Sequence, residues 1–101
     1  MDPYGHLDGM LLAILAGEPA HGYAIAQALK QRSDGVFDLP EGTIYPALHR
    51  LERGGLLRSE WSTASGRRRR TYRLTAAGQR AVGGARAEWS TFSAAVQAVL
   101  S

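Results

Sequence analysis

The chain of 101 residues has no cysteine. Disulfide frameworks and thiolate metal sites are therefore excluded, a composition that suits the reducing cytoplasm. Lysine is nearly missing: Lys30 stands alone, and every other member of the 12 Lys and Arg residues is arginine. Long apolar runs are missing as well. The longest, Met10 to Ala16, falls far short of the ~20 residues a helix needs to span a bilayer, so no membrane partner is expected. Asp2 and Asp8 stand where a secretory leader would carry basic residues, and no such leader is expected. There is no Gly-x-Ser-x-Gly, no phosphate-binding glycine loop and no carboxylate pair in a cleft-forming context, so an enzyme is not expected. His6, His21 and His49 lie on separate segments without an i, i+4 pair, the spacing a helical metal site would need. Neither a metal nor a cofactor is expected.

What is present is a hydrophobic fraction of 45%, a net charge of +3 and a sequence pI near 9.8. The length fits one folding unit with a modest core. Arginine forks match phosphates and guanine edges better than ammonium groups do, so the basic balance is compatible with a nucleic-acid partner.

Leu7 to Ala16 reads as a first helix, with Leu7, Leu11, Ile14 and Leu15 on one face. Gly17 and Pro19 stop it. A second helix opens at His21 or Gly22 and runs to about Arg32, with Ile25, Ala26 and Leu29 inward. Ser33-Asp34-Gly35 is a turn. The third helix has two candidate starts. Thr43 can act as N-cap, which puts Pro46 at the third helical position, where a missing N–H costs nothing. Alternatively Pro40 is the first helical residue. Either way Ile44, Leu48 and Leu51 form the inner stripe, while Tyr45, His49, Arg50 and Arg53 point elsewhere. Gly54-Gly55 ends the helix, one of them left-handed.

Leu56 to Ser62 and Arg69 to Thr75 alternate as strands around the turn-rich tip Thr63 to Arg68. This is a hairpin, with Trp61 expected beneath it. Thr75 caps a last helix reaching almost to Ser101. On it Val82, Ala85, Trp89, Phe92, Val96 and Val99 recur at spacings of three and four, a heptad-like stripe. Gly83-Gly84 interrupts that stripe, and a bend or soft point is expected there.

The order is helix, helix, helix, hairpin, helix. The fold is mainly α with a small β-hairpin: a winged helix-turn-helix DNA-binding domain over residues 1–75, followed by a C-terminal dimerisation helix over 76–101. In such a fold the third helix enters the major groove with its N-terminal residues nearest the bases. Thr43 and His49 can meet base edges. Tyr23 and Tyr45 can place hydroxyls on backbone phosphate, or else fill the gap between the two helices. Arg67 to Arg70 repel one another in a hairpin tip, a pattern that makes sense if phosphates neutralise them. A solvated loop without a target is the plain alternative for that run alone. For the whole chain the alternative is a winged-helix adaptor for protein–protein contacts. The long apolar stripe asks for a second copy of the chain. Trp89, with Phe92 beside it, either packs that dimer or also lines a site for a flat ligand.

These residues carry a family likeness. His21-Gly22-Tyr23, Gly42-Thr43-Ile44-Tyr45-Pro46-Ala47-Leu48, Arg50-Leu51-Glu52, Gly55-Leu56, Ser59-Glu60-Trp61, Arg70, Tyr72-Arg73-Leu74-Thr75 and Gly78 occur in order and at the spacing of the PadR family. The chain resembles the short branch of these transcriptional regulators, with a single C-terminal helix. The resemblance implies a homodimeric repressor on a near-palindromic operator in double-stranded DNA. Contacts would come from Tyr23, from Thr43, Tyr45 and Pro46, with His49 and Arg50 on the same helix, and from the wing at Gly66, Arg67, Arg68 and Arg69. Some short-branch members take planar aromatic compounds at the dimer interface through a C-terminal-helix tryptophan, and Trp89 matches it. The chain departs from the family in Gly83-Gly84, where good helix formers are usual, and in a wing more basic than the family requires.

Overall fold

Among the described residues fourteen apolar side chains form one core, and five of them, Leu7, Leu11, Leu12, Ile14 and Leu15, come from the first helix. The computed structural model describes residues 6–64 and 66–101; Asp2 and Ser65, used in the sequence reading, lie outside them. The elements are α1 (Leu7–Gly17), β1 (Ala20–His21), α2 (Gly22–Arg32), α3 (Glu41–Arg53), β2 (Leu57–Ala64), β3 (Arg67–Leu74) and α4 (Ala76–Leu100). Among the described residues no helix is long and apolar enough to cross a membrane.

The winged helix-turn-helix architecture is present, with three differences in detail. The sheet has three antiparallel strands rather than two, in the order β1-β3-β2. The extra strand pairs Ala20 with Tyr72 and His21 with Thr71; two residues are too few for any alternation to show. The wing strands extend further into the tip than expected, pairing Leu57 with Leu74 and continuing to Ala64 opposite Arg67. Third, α3 starts at Glu41 with Pro40 as its N-cap, so neither expected start holds as stated: Thr43 is the third helical residue and Pro46 the sixth. Pro46 cannot donate to the carbonyl of Gly42. Both residues are exposed, so water can take that bond.

The packing of α2 against α3 depends on Gly22. It is buried, and a β-carbon there would lie 2.5 Å from Tyr45 Cζ. The absent side chain lets the Tyr45 ring sit against the start of α2. At its other end α3 closes in the Schellman pattern: Leu56 N–H donates to the Leu51 carbonyl and Gly55 N–H to that of Glu52, each at 3.0 Å, with Gly55 at φ +79.

Thr75 joins the wing to α4. Its Oγ1 accepts from Gly78 N–H at 3.1 Å and donates to the Gly55 carbonyl at 2.6 Å, while its own N–H donates to the Leu56 carbonyl at 3.1 Å. Gly78 is buried against that same Leu56 carbonyl, where a β-carbon would collide. One turn on, Val82 is 1% exposed and sits in the core, and Ala85 approaches Gly9 of α1 so closely that a β-carbon on the glycine would stand 3.0 Å away. The expected stripe is therefore divided. Val82 serves the protomer's own core and has no surface left for a partner, which corrects its assignment to dimerisation. Ala85 faces α1. α4 runs on as a helix through Gly83 and Gly84, which lie between the packed Val82 and Ala85.

Glycine to alanine in α4 should thus change sign with position. Gly83 and Gly84 have open space around an added β-carbon, so each substitution should raise unfolding free energy by about 0.5–1 kcal/mol. Gly78→Ala should lower it by about 1–3 kcal/mol through overpacking. Urea denaturation of the three variants checks this; the same sign at all three would contradict the packing described.

Candidate nucleic-acid interface

An open cleft of about 660 Å³ lies between α3, the first turn of α2 and the wing. Tyr23, Tyr45 and His49 line it from the helices, and Trp61 with Arg67 to Arg70 line it from the wing. Tyr23 is 58% exposed, and His21 lies parallel to it with ring centroids 6.5 Å apart. His21 also ends β1 and caps α2: its Nδ1 is 3.3 Å from Ala24 N–H, and its Nε2 is 2.9 Å from Arg69 Nη1. The cleft is basic and aromatic, with Glu41 the only carboxylate among its lining residues.

The four wing arginines are handled one at a time. Strand alternation sends Arg68 and Arg70 to the face shared with Trp61, and Arg67 and Arg69 to the other. Arg70 is tied to α3. Its Nε donates to Ser59 Oγ at 2.7 Å and its Nη2 to Glu52 Oε1 at 3.2 Å, and Ser59 Oγ donates to Glu52 Oε2 at 2.6 Å. Arg68 lies over the Trp61 ring, 4.6 Å from its centroid. Mutual repulsion among these arginines is therefore relieved in part by groups of the protein itself.

Not every expected residue reaches the cleft. Arg50 is paired instead with Asp8 of α1, through both Nε and Nη2; the carboxylate's hydrogen bond and charge raise the guanidinium pKa above its usual value. Thr43 is half-buried, and Pro46 and Gly66 are exposed, but none of the three lines the cleft. Gly66 turns the wing tip at φ +74. Trp61, expected beneath the wing, is 54% exposed on it. His21, Glu41, Trp61, Arg70 and Tyr72 line the cleft without having been assigned to the site from the sequence. For Trp61 the signal was the alternation Leu57, Ser59, Trp61, which places it on the face of the strand that turns toward α3.

Trp89, Phe92, Val96 and Val99 lie beyond Ala85 on α4 and are exposed, at 43%, 38%, 38% and 84%. His6 meets Trp89 edge-on at 5.0 Å between centroids. Trp89 and His6 border a hollow of about 500 Å³ between α1 and α4, floored by Met10, Ala13 and Val82. Among the described residues no cluster of three or more acidic, histidine or cysteine side chains could hold a metal ion.

A sequence model described as the transcriptional regulator PadR-like family matches residues 11–83. The chain belongs to the PadR-like family. Transcriptional regulator Rv3488 of Mycobacterium tuberculosis is 43% identical over 67 residues, which cover 66% of this PadR-like chain and 60% of that protein. A PadR family transcription regulator of Clostridium difficile, known from its crystal structure, is 33% identical with a TM-score of 0.82, covering 95% of this chain and 99% of that one. A transcriptional regulator of Clostridium thermocellum superposes at a TM-score of 0.88 with 26% identity, covering 96% and 92%. The matched span takes in α2, α3, the wing and the first turns of α4. The cleft thus belongs to a regulator of a DNA-binding family.

Tyr72, at the floor of the cleft, is fully buried, and among the described residues nothing hydrogen-bonds its hydroxyl. Burial raises its pKa above the ordinary 10.0, against the opposing pull of Arg70. A pKa raised in the folded state favours the protonated native form, so this contribution to stability is full below pH 10 and is lost as pH rises through the folded value. Tyr72→Phe removes an unpaired buried hydroxyl worth roughly 1–3 kcal/mol of desolvation. The variant should match or exceed the parent in stability at neutral pH and lose less above pH 10. Denaturant midpoints at both pH values check it; a loss of 1 kcal/mol or more at neutral pH would mean the hydroxyl is bonded.

Proposed function

We propose that the chain is a cytoplasmic, homodimeric transcriptional repressor that binds a near-palindromic operator through this cleft. The observation that carries the reading is that Tyr23, Tyr45, His49 and Arg67 to Arg69 all line one open cleft. Two helix starts and a wing strand contribute to it, each from a different part of the sequence. In this reading the exposed residues of α3 enter the major groove, Thr43 and Pro46 lie at the groove edge, and the wing follows the phosphate backbone. Arg50 contributes by fixing α3 to α1 rather than by touching DNA.

The dimer would form through the exposed part of α4. Trp89, Phe92, Val96 and Val99 there leave apolar area on one side of a helix that its own core does not cover, and an isologous pairing with a second copy would bury it. Two recognition helices would then stand about 34 Å apart to meet successive major grooves. A planar aromatic effector stacking on Trp89 and Phe92 would favour one spacing over another and so release the operator.

Two measurements test the reading. Replacing Arg67, Arg68 and Arg69 together by alanine should weaken binding to every duplex and flatten the salt dependence, each lost phosphate contact removing about 0.9 from the slope of log K against log salt. Unchanged affinity and slope would remove the wing from the interface. Trp89→Ala should lower the sedimentation coefficient of the dimer or abolish stacking of planar aromatic ligands followed by fluorescence; a variant unchanged in both has no role for Trp89 at this surface.

A further inference from the structure

The exposed tryptophan of the wing, Trp61, lines the cleft but is not among the residues proposed to touch DNA. Trp61 pairs with Arg70 across the hairpin and shares its face with Leu57, Ser59, Tyr72 and Arg68. That face changes character along its length. It begins in the core at Leu57 and Tyr72, both buried. It passes through the Ser59–Arg70–Glu52 network. It ends on an indole that is 54% exposed. Here both neighbours are cations: Arg70 at 5.6 Å and Arg68 at 4.6 Å from the ring centroid.

The two cations differ. Arg70 is paired with Glu52 on α3. Arg68 stands further out, in the cleft wall. Contacts thus run in series from Glu52 on α3 to Arg70, from Arg70 to the Trp61 ring, and from the ring to Arg68. The indole quadrupole attracts a guanidinium over its face, so Arg68 is held in a defined place relative to the recognition helix. An unrestrained arginine would have its long side chain to order on meeting DNA.

We propose that Trp61 is a positioning residue for DNA binding: its ring sets the Arg68 guanidinium at the phosphate backbone, in a fixed relation to α3. The proposal rests on the cleft being the DNA interface.

The test uses the full-length chain and a fluorescein-labelled duplex of mixed sequence, because phosphate contacts do not depend on sequence. Affinity is measured by anisotropy across a salt series. Trp61→Leu, which keeps apolar bulk without an aromatic face, should weaken binding about two- to fivefold, the range of an exposed cation–π contact, and lower the salt slope. Trp61→Phe should recover most of the affinity. In an Arg68→Ala background Trp61→Leu should add almost nothing, since the ring then has no cation to aim. Parent affinity for Trp61→Leu, or penalties that simply add in the double variant, would overturn the proposal. If the Arg67, Arg68 and Arg69 triple variant also binds like the parent, the DNA reading fails with it; if that variant is weakened, only the role of Trp61 falls. Circular-dichroism melts confirm that each variant is folded, and Trp61→Phe with Arg68→Ala keeps the test decisive if Trp61→Leu is not.

Discussion

The Thr75 hydroxyl holds the molecule's two halves in register. It accepts from the first turn of α4 and donates to the carbonyl just past the end of α3. One oxygen atom thereby fastens α3, the end of the wing and the start of the long helix to one another. The Schellman ending of α3 brings Gly55 and Leu56 to this point, and only a glycine at position 78 lets α4 come near enough for the cap to form. From there the direction of α4 follows, and so does everything that α4 carries away from the core.

A single helix consequently has two environments. Its first turns, through Val82 and Ala85, close the core against α1; from Trp89 onward it meets the protomer through the His6 ring and leaves its apolar side chains partly or largely exposed. The heptad spacing runs through both without a change, because core packing and helix pairing ask for the same periodicity. A stripe read from spacing alone cannot show where one role gives way to the other. That depends on where α1 ends beside it.

The same limit explains which parts of the fold were legible in the sequence. The start of α2 at Gly22, the cap at Thr75, the glycine stop of α3 and the core stripe Ile44, Leu48 and Leu51 follow from local chemistry, and each stands where the residues place it. The start of α3 does not: a proline at the sixth helical position contradicts helix propensity, and it is tolerated because both the ring and the carbonyl it orphans face water. The pairing of Arg50 with Asp8 joins residues 42 positions apart, and nothing in either segment announces the other. The arginine run looked like a block of like charge. Strand alternation divides it between two faces, and partners distant in sequence, Glu52 and His21 among them, reach its members one by one.

His21 shows what such sharing entails. One ring nitrogen faces the amide that opens α2, the other a guanidinium of the wing, and both neighbours are donors. A neutral imidazole has one lone pair to offer, and a charged one has none. The ring therefore cannot satisfy the helix and the wing in the same instant. The amide is fixed in the helix: with Nδ1 accepting from it, Nε2 carries the proton, and the Arg69 guanidinium beside it keeps an N–H to offer another acceptor at the edge of the cleft.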